Sequence, residues 1–181
     1  MCIRDRSVGT KKVIVVDIHS KLALKQLGIS SENVSVVSNL ANYIKKLKLK
    51  DPLVVSPDQG GKERADEFAD ALKIDFIALK KHRDRKTGKI NIITTKASVK
   101  DRDLVLVDDM ISTGGSIIKA TQFLKKQKCR RIYVACTHGL FVNGAEKKIK
   151  QAGVTQIIST NTIPTNSSKV DVSRMLAESL L

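Results

Sequence analysis

The sequence predicts an α/β fold, with a mainly parallel sheet that is covered by helices on both faces. Short apolar runs alternate along the chain with stretches in which apolar residues recur at helical spacing. The runs are nearly continuous in Val, Ile and Leu, as is typical of strands that are buried on both faces. This alternation of strands and helices favours parallel pairing, and one hairpin-like pair is predicted around residues 75–94.

Each predicted element has its own signal in the chain. The strands are predicted at the apolar runs 13–17, 52–56, 75–79, 90–94, 103–109, 131–137 and 156–160. The helices are predicted where apolar residues recur three or four positions apart, at 39–49, 61–73, 114–127, 143–153 and 171–181. The charged, glycine-containing segment KKHRDRKTGK (80–89) is predicted to be a loop.

The composition argues against several classes of protein. No apolar run approaches the roughly 20 residues that a membrane helix needs, so no membrane partner is expected. The three cysteines are scattered without CxxC spacing, which argues against a disulfide framework and against a zinc site. The N-terminus lacks the long apolar segment of a secretory signal, and a cytoplasmic location is predicted.

The formal net charge of +15 indicates polyanionic partners, such as nucleic acid or phosphorylated metabolites. Aromatic residues make up only 3% of the chain, which leaves few side chains on which the bases of a single strand could stack. No groove-reading element is recognisable in the sequence. A nucleic-acid-binding module is therefore the least favoured function, and no nucleic-acid partner is predicted.

The most informative motif is VLVDDMISTGGS (105–116), in which two acids end a strand and a hydroxyl-rich glycine turn begins a helix. Backbone N–H groups at a helix N-terminus bind anions, and glycine permits the turns that point several of them inward. The turn contains no lysine, so it is not the loop that binds nucleoside triphosphates. The residues predicted to bind the anion are Ser112, Thr113, Gly114, Gly115 and Ser116.

The two acids of this motif are predicted to contact a different part of the ligand from the anion. Asp108 and Asp109 would repel a phosphate, but they can accept hydrogen bonds from sugar hydroxyls or hold Mg²⁺ directly or through water. Hydroxyl acceptors followed at once by an anion site fit a pentose that carries a phosphate at one end. The motif therefore predicts a sugar-phosphate site.

Two further strand ends carry polar motifs. SPDQGG (56–61) joins a strand to a helix, and its glycines open a second backbone anion site beside Asp58, which could hold a metal. Asp17 and His19 follow the first strand, where the period of two would place both side chains on one face. Since ligands bind beyond the carboxyl ends of the strands in open α/β sheets, we expect these motifs to meet at one edge.

Together these motifs resemble those of a known family. VLVDDMISTGGS is similar to the motif that binds phosphoribosyl pyrophosphate (PRPP) in the type I phosphoribosyltransferase fold. The set VDIHS, VVSPDQGGKERADEFA, KKHR and THGLF…TNTI resembles the ribose-phosphate pyrophosphokinases, or PRPP synthetases, and most closely their shorter archaeal type. The resemblance covers about residues 13–181.

The resemblance implies a reaction in which ATP and ribose 5-phosphate give PRPP and AMP, with Mg²⁺ as the cofactor. It assigns the ribose hydroxyls to the two acids and the 5-phosphate to the turn at 112–116. It also implies a homo-oligomer. The remaining assignments are a pyrophosphate loop of Asp58, Gln59, Gly60 and Gly61, metal ligands Asp17, His19 and Asp58, and catalytic residues Lys81, Arg83 and His19.

We expect the chain to be divided into four segments, of which the first lacks a clear period and the others follow from the resemblance. Residues 1–10 are expected to be a non-native leader, and residues 11–37 the remnant of a first phosphoribosyltransferase-like domain. Residues 38–165 would form the second such domain, which carries the sugar-phosphate site, and residues 166–181 a C-terminal helix. The family's adenine-binding loop has no counterpart before Val13, so we expect this chain to bind ribose 5-phosphate but to make PRPP poorly.

Two other functions remain open from the sequence. A nucleobase phosphoribosyltransferase would share the PRPP motif but would not need the Asp-x-His motif or the Lys-x-Arg loop. A non-catalytic regulatory protein associated with PRPP synthetase would keep the fold, although the presence of Asp17, His19, Lys81 and Arg83 argues against it.

Overall fold

The computed structural model describes residues 7–83, 90–93 and 98–180, and within these ranges it leaves out the side chains of Lys21, 81–83 and 90–93. The strands of the described residues are β1 (Lys12–Val16), β2 (Ser30–Val34), β3 (Leu53–Ser56), β4 (Phe76–Ala78), β5 (Lys80–Arg83), β6 (Ile90–Ile93), β7 (Asp103–Ile111), β8 (Arg131–Gly139), β9 (Gln156–Thr160) and β10 (Ser168–Val170). The helices are α1 (Lys21–Lys25), α2 (Val37–Lys45), α3 (Lys62–Leu72), α4 (Gly115–Lys126), α5 (Ala145–Gln151) and α6 (Ser173–Glu178), and a 3₁₀ turn spans Val142–Gly144.

The main sheet has six strands in the order β10-β9-β8-β7-β3-β4, and every neighbouring pair in it is parallel. Strands β1 and β2 form a separate parallel pair, and β5 and β6 form an antiparallel pair. The predicted α/β class, with a mainly parallel sheet and one hairpin-like exception, is confirmed.

Helices cover both faces of the main sheet. Consecutive side chains of a strand point to opposite faces, so an unbroken apolar strand has an apolar surface on each side that must be covered. In β7, Leu104 and Leu106 pack in one core with Ile117 and Leu124 of α4. Val105 and Val107 lie in the other core, which is formed with residues of α2 and α3 such as Leu40, Ile44 and Phe68. All four of these strand residues are fully buried, which explains the unbroken apolar run in the sequence.

Three elements are absent from the sequence-based prediction, and one predicted loop is a strand. The sequence SSENV of β2 is polar, and it becomes a strand because its backbone pairs with β1. The missed α1 and β10 are only five and three residues long, too short to show a period. The segment at 80–83, predicted as part of a loop, is strand β5 because it pairs with the apolar β6.

No helix among the residues that the structure describes combines the length and the apolar character needed to cross a bilayer.

Candidate active site

The acid pair lies at the carboxyl end of β7, the strand between β3 and β8 in the main sheet. Asp108 is still paired with β8, opposite Cys136, and both acids are partly buried. The Asp109 N–H donates to Asp108 Oδ1 over 3.0 Å, and the Met110 N–H donates to Asp109 Oδ1 over 2.7 Å. These backbone contacts hold the two carboxylates at the sheet edge, where the parallel topology brings the other strand ends together.

Two neighbouring spaces lie beside the acid pair and share part of their lining. A cavity of about 780 Å³ is lined by both acids, by the residues after β1 and by the glycine loop before α3. A smaller space of about 130 Å³ lies against the turn at 112–116. Asp108 and Met110 line both spaces, so a ligand in the small pocket can extend past the acids into the large cavity.

The turn that follows the acids has the geometry of an anion site. Gly114 precedes α4 with a φ of 73°, a left-handed conformation that favours glycine, and as the N-cap residue it has no side chain that could cap the helix. Thr113 and Gly115 are exposed, while Ser112 and Ser116 are partly buried. A Cβ on Gly114 would lie 2.8 Å from Ile149 Cδ1, so the packing against α5 also requires glycine.

In the second glycine loop, at 56–61, backbone N–H groups already bind a carboxylate of the same loop. Asp58 Oδ1 accepts hydrogen bonds from the N–H groups of Gly60 at 3.0 Å and Gly61 at 3.3 Å. A phosphate oxygen of a ligand would need the same donors, so the Asp58 carboxylate stands where such an oxygen would bind. The Gln59 side chain instead donates to the carbonyls of Ala78 and Leu79, so it is directed to the end of β4.

His19 reaches the acid pair from the segment after β1. Its Nδ1 lies 2.5 Å from Asp109 Oδ2, although 80% of the His19 side chain is exposed. The hydrogen bond to Asp109 and the charge of that carboxylate raise the pKa of His19 above its ordinary value. Burial by itself would raise the pKa of Asp109, but the hydrogen bonds from His19 and with Asp108 hold it below its ordinary value.

The two acids therefore differ in their protonation. Burial and the neighbouring charge of Asp109 raise the pKa of Asp108 to about 7. Two carboxylates in contact do not both ionise easily, and Asp109, which is hydrogen-bonded to His19, is the one that ionises more readily. At neutral pH the pair can thus offer both an acceptor and a hydroxyl donor to a bound sugar.

Asp17 is buried among protein donors. It is 3% exposed, and its Oδ2 accepts from Thr137 Oγ1 at 2.6 Å and from the Val36 N–H at 3.4 Å. Arg64 Nη1 lies 3.2 Å from the same oxygen. Arg64 Nη1 is buried, and its contact with Asp17 does not have the geometry of a hydrogen bond. The contact is therefore an ion pair.

His138 joins the segment after β9 to β1. Its Nε2 lies 2.9 Å from the Val16 carbonyl and its Nδ1 lies 2.9 Å from Thr162 Oγ1. Because a carbonyl can only accept, Nε2 carries the proton that is donated to Val16. The THG and TNT segments of the sequence thus meet in the fold and support the strand that leads to Asp17.

The catalytic residues predicted on the basic loop are only partly described. Lys81 and Arg83 lie in β5, opposite Ile92 and Ile90, and their side chains are outside the described part of the structure. The rest of that loop, residues 84–89, lies outside the described residues. The roles of Lys81 and Arg83 stay predictions.

The predicted metal ligands Asp17, His19 and Asp58 all line the large cavity, but they do not converge on one point. Within the described residues, no three His, Cys, Asp or Glu side chains form a group that could hold a metal ion. Mg²⁺ is usually held by one or two carboxylates together with the phosphates of a substrate, and not by an all-protein cage. The oxygen-rich edge fits Mg²⁺ that arrives with a phosphorylated ligand.

Arg64 and Asn33 are among the cavity residues that sequence-based reasoning missed. Arg64 is in the first turn of α3, where a positive side chain opposes the helix dipole, and that unfavourable placement was the available signal. Asn33 accepts from the Ile18 N–H at 2.9 Å, and it lies in the polar strand β2 that the pattern did not reveal.

Comparison with known proteins agrees with the observed fold. A model of the phosphoribosyl transferase domain matches residues 31–174. The ribose-phosphate pyrophosphokinase of Sulfurisphaera tokodaii is 34% identical over 165 residues, which are 91% of this chain and 56% of that protein. The ribose-phosphate pyrophosphokinase of Pyrococcus furiosus is 35% identical over 161 residues, which are 89% of this chain and 57% of that protein.

Among solved structures, the phosphoribosylpyrophosphate synthetase from Mycobacterium smegmatis matches 99% of this chain and 60% of that chain. The TM-score is 0.86 and the sequence identity is 25%. The chain thus spans between 56% and 60% of the length of these relatives.

Proposed function

The chain belongs to the phosphoribosyl transferase domain family, and from this premise we propose that it carries the ribose 5-phosphate site of a ribose-phosphate pyrophosphokinase. The whole enzyme would transfer pyrophosphate from ATP to ribose 5-phosphate and release PRPP and AMP. The similarity to proteins of that name in Sulfurisphaera tokodaii and Pyrococcus furiosus supports the proposal.

One observation carries the proposal, namely that Asp108 lines both the small pocket and the large cavity. The 5-phosphate would bind the backbone of the turn at 112–116, where the helix N-terminus favours an anion. The ribose would then lie across Asp108 and Asp109, which would accept hydrogen bonds from its 2- and 3-hydroxyl groups. The anomeric hydroxyl would face the large cavity, which has room for the phosphates of ATP.

The groups around the large cavity suit the transfer step. The anomeric oxygen would attack the β-phosphorus of ATP, and the bond to the α-phosphate would break, so that AMP leaves. Mg²⁺ bound with the substrates would neutralise charge on the phosphates. The amides of Gly60 and Gly61 would hold the transferred group once it displaces the Asp58 carboxylate, which could then turn to the metal.

Three groups of the chain would contribute charge or orientation. His19, placed against Asp109, would orient that carboxylate and offer its other ring nitrogen to the cavity. Lys81 and Arg83, on a charged loop, would stabilise the charge that develops on the transferred group. Mg²⁺ as cofactor, ATP as second substrate, assembly into a homo-oligomer and a cytoplasmic location are parts of this proposal.

Calorimetry with ribose 5-phosphate tests the proposal without requiring turnover. We expect the wild type to bind and Asp109→Ala to bind at least tenfold more weakly, since a buried carboxylate bond to a hydroxyl contributes about 1.5–3 kcal/mol. Asp75→Asn, which removes an exposed acid before β4 at the opposite edge of the sheet, is the matched control and should bind like the wild type. Equal affinities for wild type and Asp109→Ala would refute the sugar site.

A second assay separates the proposal from a nucleobase phosphoribosyltransferase. That enzyme would release pyrophosphate when given PRPP and a nucleobase, whereas a pyrophosphokinase would not. The contact of His19 with Asp109 favours the pyrophosphokinase, because it brings the Asp-x-His motif onto the acid pair. Base-dependent pyrophosphate release would contradict our assignment.

A further inference from the structure

The Asp17 carboxylate is buried and is approached by three groups of the protein. Burying an ionised carboxylate is costly unless hydrogen bonds and an opposite charge replace its water. Here one oxygen, Oδ2, is approached by the Thr137 hydroxyl, the Val36 N–H and the Arg64 guanidinium. The Thr137 side chain is itself fully buried, so its contact with Asp17 lies on the protein side of the carboxylate, behind the wall of the large cavity that Asp17 lines.

These three partners come from three separate parts of the fold. Thr137 belongs to β8 of the main sheet, Val36 precedes α2, and Arg64 is in the first turn of α3. Asp17 itself follows β1, which pairs with β2 and not with the main sheet. The carboxylate therefore fastens the small β1–β2 unit to the main sheet and to the helix that begins beside the glycine loop.

The position of His19 depends on this attachment. His19 is two residues after Asp17, and the contact recorded for its ring is the one with Asp109. The backbone between them is held by the Asp17 N–H, which donates to the Val34 carbonyl at 3.0 Å, and by the Ile18 N–H, which donates to Asn33. A largely exposed ring can keep a single hydrogen bond only if the backbone that carries it is fixed.

A metal ligand needs the opposite surroundings. A carboxylate that binds Mg²⁺ presents an oxygen to an ion that keeps several of its waters. Asp17 is 3% exposed and has a guanidinium nitrogen 3.2 Å from Oδ2, which would repel a cation brought to that oxygen. We propose that Asp17 is a positioning residue, which holds His19 against the acid pair through its contacts with Arg64 and Thr137, and that it does not ligate the metal.

This inference concerns the metal-free protein and does not depend on the proposed reaction. The chain has three histidines, so the ring signals of His19 can be assigned by NMR from single His→Gln variants. Spectra recorded in EDTA exclude any effect of a bound metal. We expect Asp17→Asn to shift the His19 ring signals towards those of Asp109→Asn, in which His19 has lost its carboxylate partner.

Thr137→Val is the matched variant, because it removes one partner of Asp17 and its side chain cannot reach the cavity. It should shift the His19 signals in the same direction as Asp17→Asn, by a smaller amount. Thermal unfolding followed by circular dichroism shows whether each variant folds. If Asp17→Asn does not fold, the His19 signals of Thr137→Val, which preserves side-chain volume, test the proposal without it. His19 signals that stay at their wild-type positions in the folded variants would overturn the proposal.

Titration with Mn²⁺ alone, followed by electron paramagnetic resonance, provides a second criterion. If Asp17 acts through His19, any loss of Mn²⁺ affinity in Asp17→Asn should also appear, in weaker form, in Thr137→Val. A loss of tenfold or more in Asp17→Asn with none in Thr137→Val would identify Asp17 as a ligand and overturn the proposal.

Discussion

Strand β7 carries aspartates at both of its ends, and their surroundings differ completely. At the amino end, Asp103 is fully buried and accepts hydrogen bonds from Arg130, from Arg131 and from the Lys50 N–H. At the carboxyl end, Asp108 and Asp109 lie against each other beside two open spaces, and the His19 ring contacts Asp109.

The pKa values express the same difference. Burial by itself would raise the pKa of Asp103, but hydrogen bonds from Arg131 and the Lys50 N–H hold it below its ordinary value. Burial raises the pKa of Asp108 to about 7, and the charge of Asp109 adds to the effect. One end of the strand uses an acid to stabilise the fold, while the other end keeps Asp108 in surroundings that disfavour its charged form and that a ligand or a metal can change.

Removal of the Asp103 carboxylate should have the largest effect on stability. We expect Asp103→Ala to lower the free energy of unfolding by about 3 kcal/mol, because the Lys50 N–H loses its acceptor and two arginines lose their partner. The value is at the low end for a buried pair, since both arginine side chains are about 40% exposed and can be hydrated. Urea denaturation measures it, with Asp75→Ala as the exposed control.

The same variant distinguishes the two ends of the strand. The folded fraction of Asp103→Ala should bind ribose 5-phosphate with wild-type affinity. A loss of binding as large as that expected for Asp109→Ala would show that the two ends are coupled and would break the comparison.

The pH dependence of stability should show a smaller effect, from the carboxyl end. A group whose pKa is raised on folding contributes stability at low pH that is lost as the pH rises through its folded pKa. For Asp108, with a folded pKa of about 7, we expect the free energy of unfolding to fall by about 2 kcal/mol between pH 5 and pH 8. The raised pKa of His19 acts in the same direction.

Asp108→Asn separates the contribution of this acid from that of His19. The variant should lose most of the pH dependence and should be more stable than the wild type at pH 8, because it buries no charge. Urea denaturation at pH 5, 6, 7 and 8 provides the measurement. An unchanged slope in the variant would contradict the raised pKa of Asp108.

Two glycines provide the smallest and most closely matched test. Gly114 and Gly144 have nearly equal φ angles, of 73° and 72°. Replacing either with alanine should therefore destabilise the fold by about 1 kcal/mol through backbone strain. A Cβ at Gly144 meets nothing within 4 Å, whereas one at Gly114 would lie 2.8 Å from Ile149 Cδ1. We expect Gly114→Ala to cost about 1 kcal/mol more than Gly144→Ala in thermal or urea unfolding.

The two variants should also differ in ligand binding. Gly114→Ala shifts the turn that would bind the 5-phosphate and should weaken the affinity for ribose 5-phosphate, while Gly144→Ala should not. Equal affinities in calorimetry would mean that the turn at 112–116 is not the phosphate site.

Much of the fold was predictable because it depends on patterns that are local in the chain. The central strands β7 and β8 each contain a long apolar run, as is typical of parallel strands that are buried on both faces. The polar strand β2 was not predictable, because its backbone pairing with β1 brings together residues that share no pattern. The strand at 80–83 was also missed, because its sequence KKHR has no apolar residue that would indicate a strand.

The candidate site divides in the same way. The acid pair and both glycine loops could be recognised because each is a continuous segment between a strand and a helix. Arg64 and Thr137 could not, because their importance comes from the side chain of Asp17, 47 and 120 positions away in the sequence.

By itself, the sequence determined the order of the apolar strands and of the longer helices and the residue types at each strand end, since both depend on residues that are neighbours in the chain. The tertiary structure alone decided which carboxylate is paired, which is buried and which faces open space. The physical reason is that the protonation and the partners of an acid depend on the groups packed around it, and packing brings those groups from distant parts of the chain.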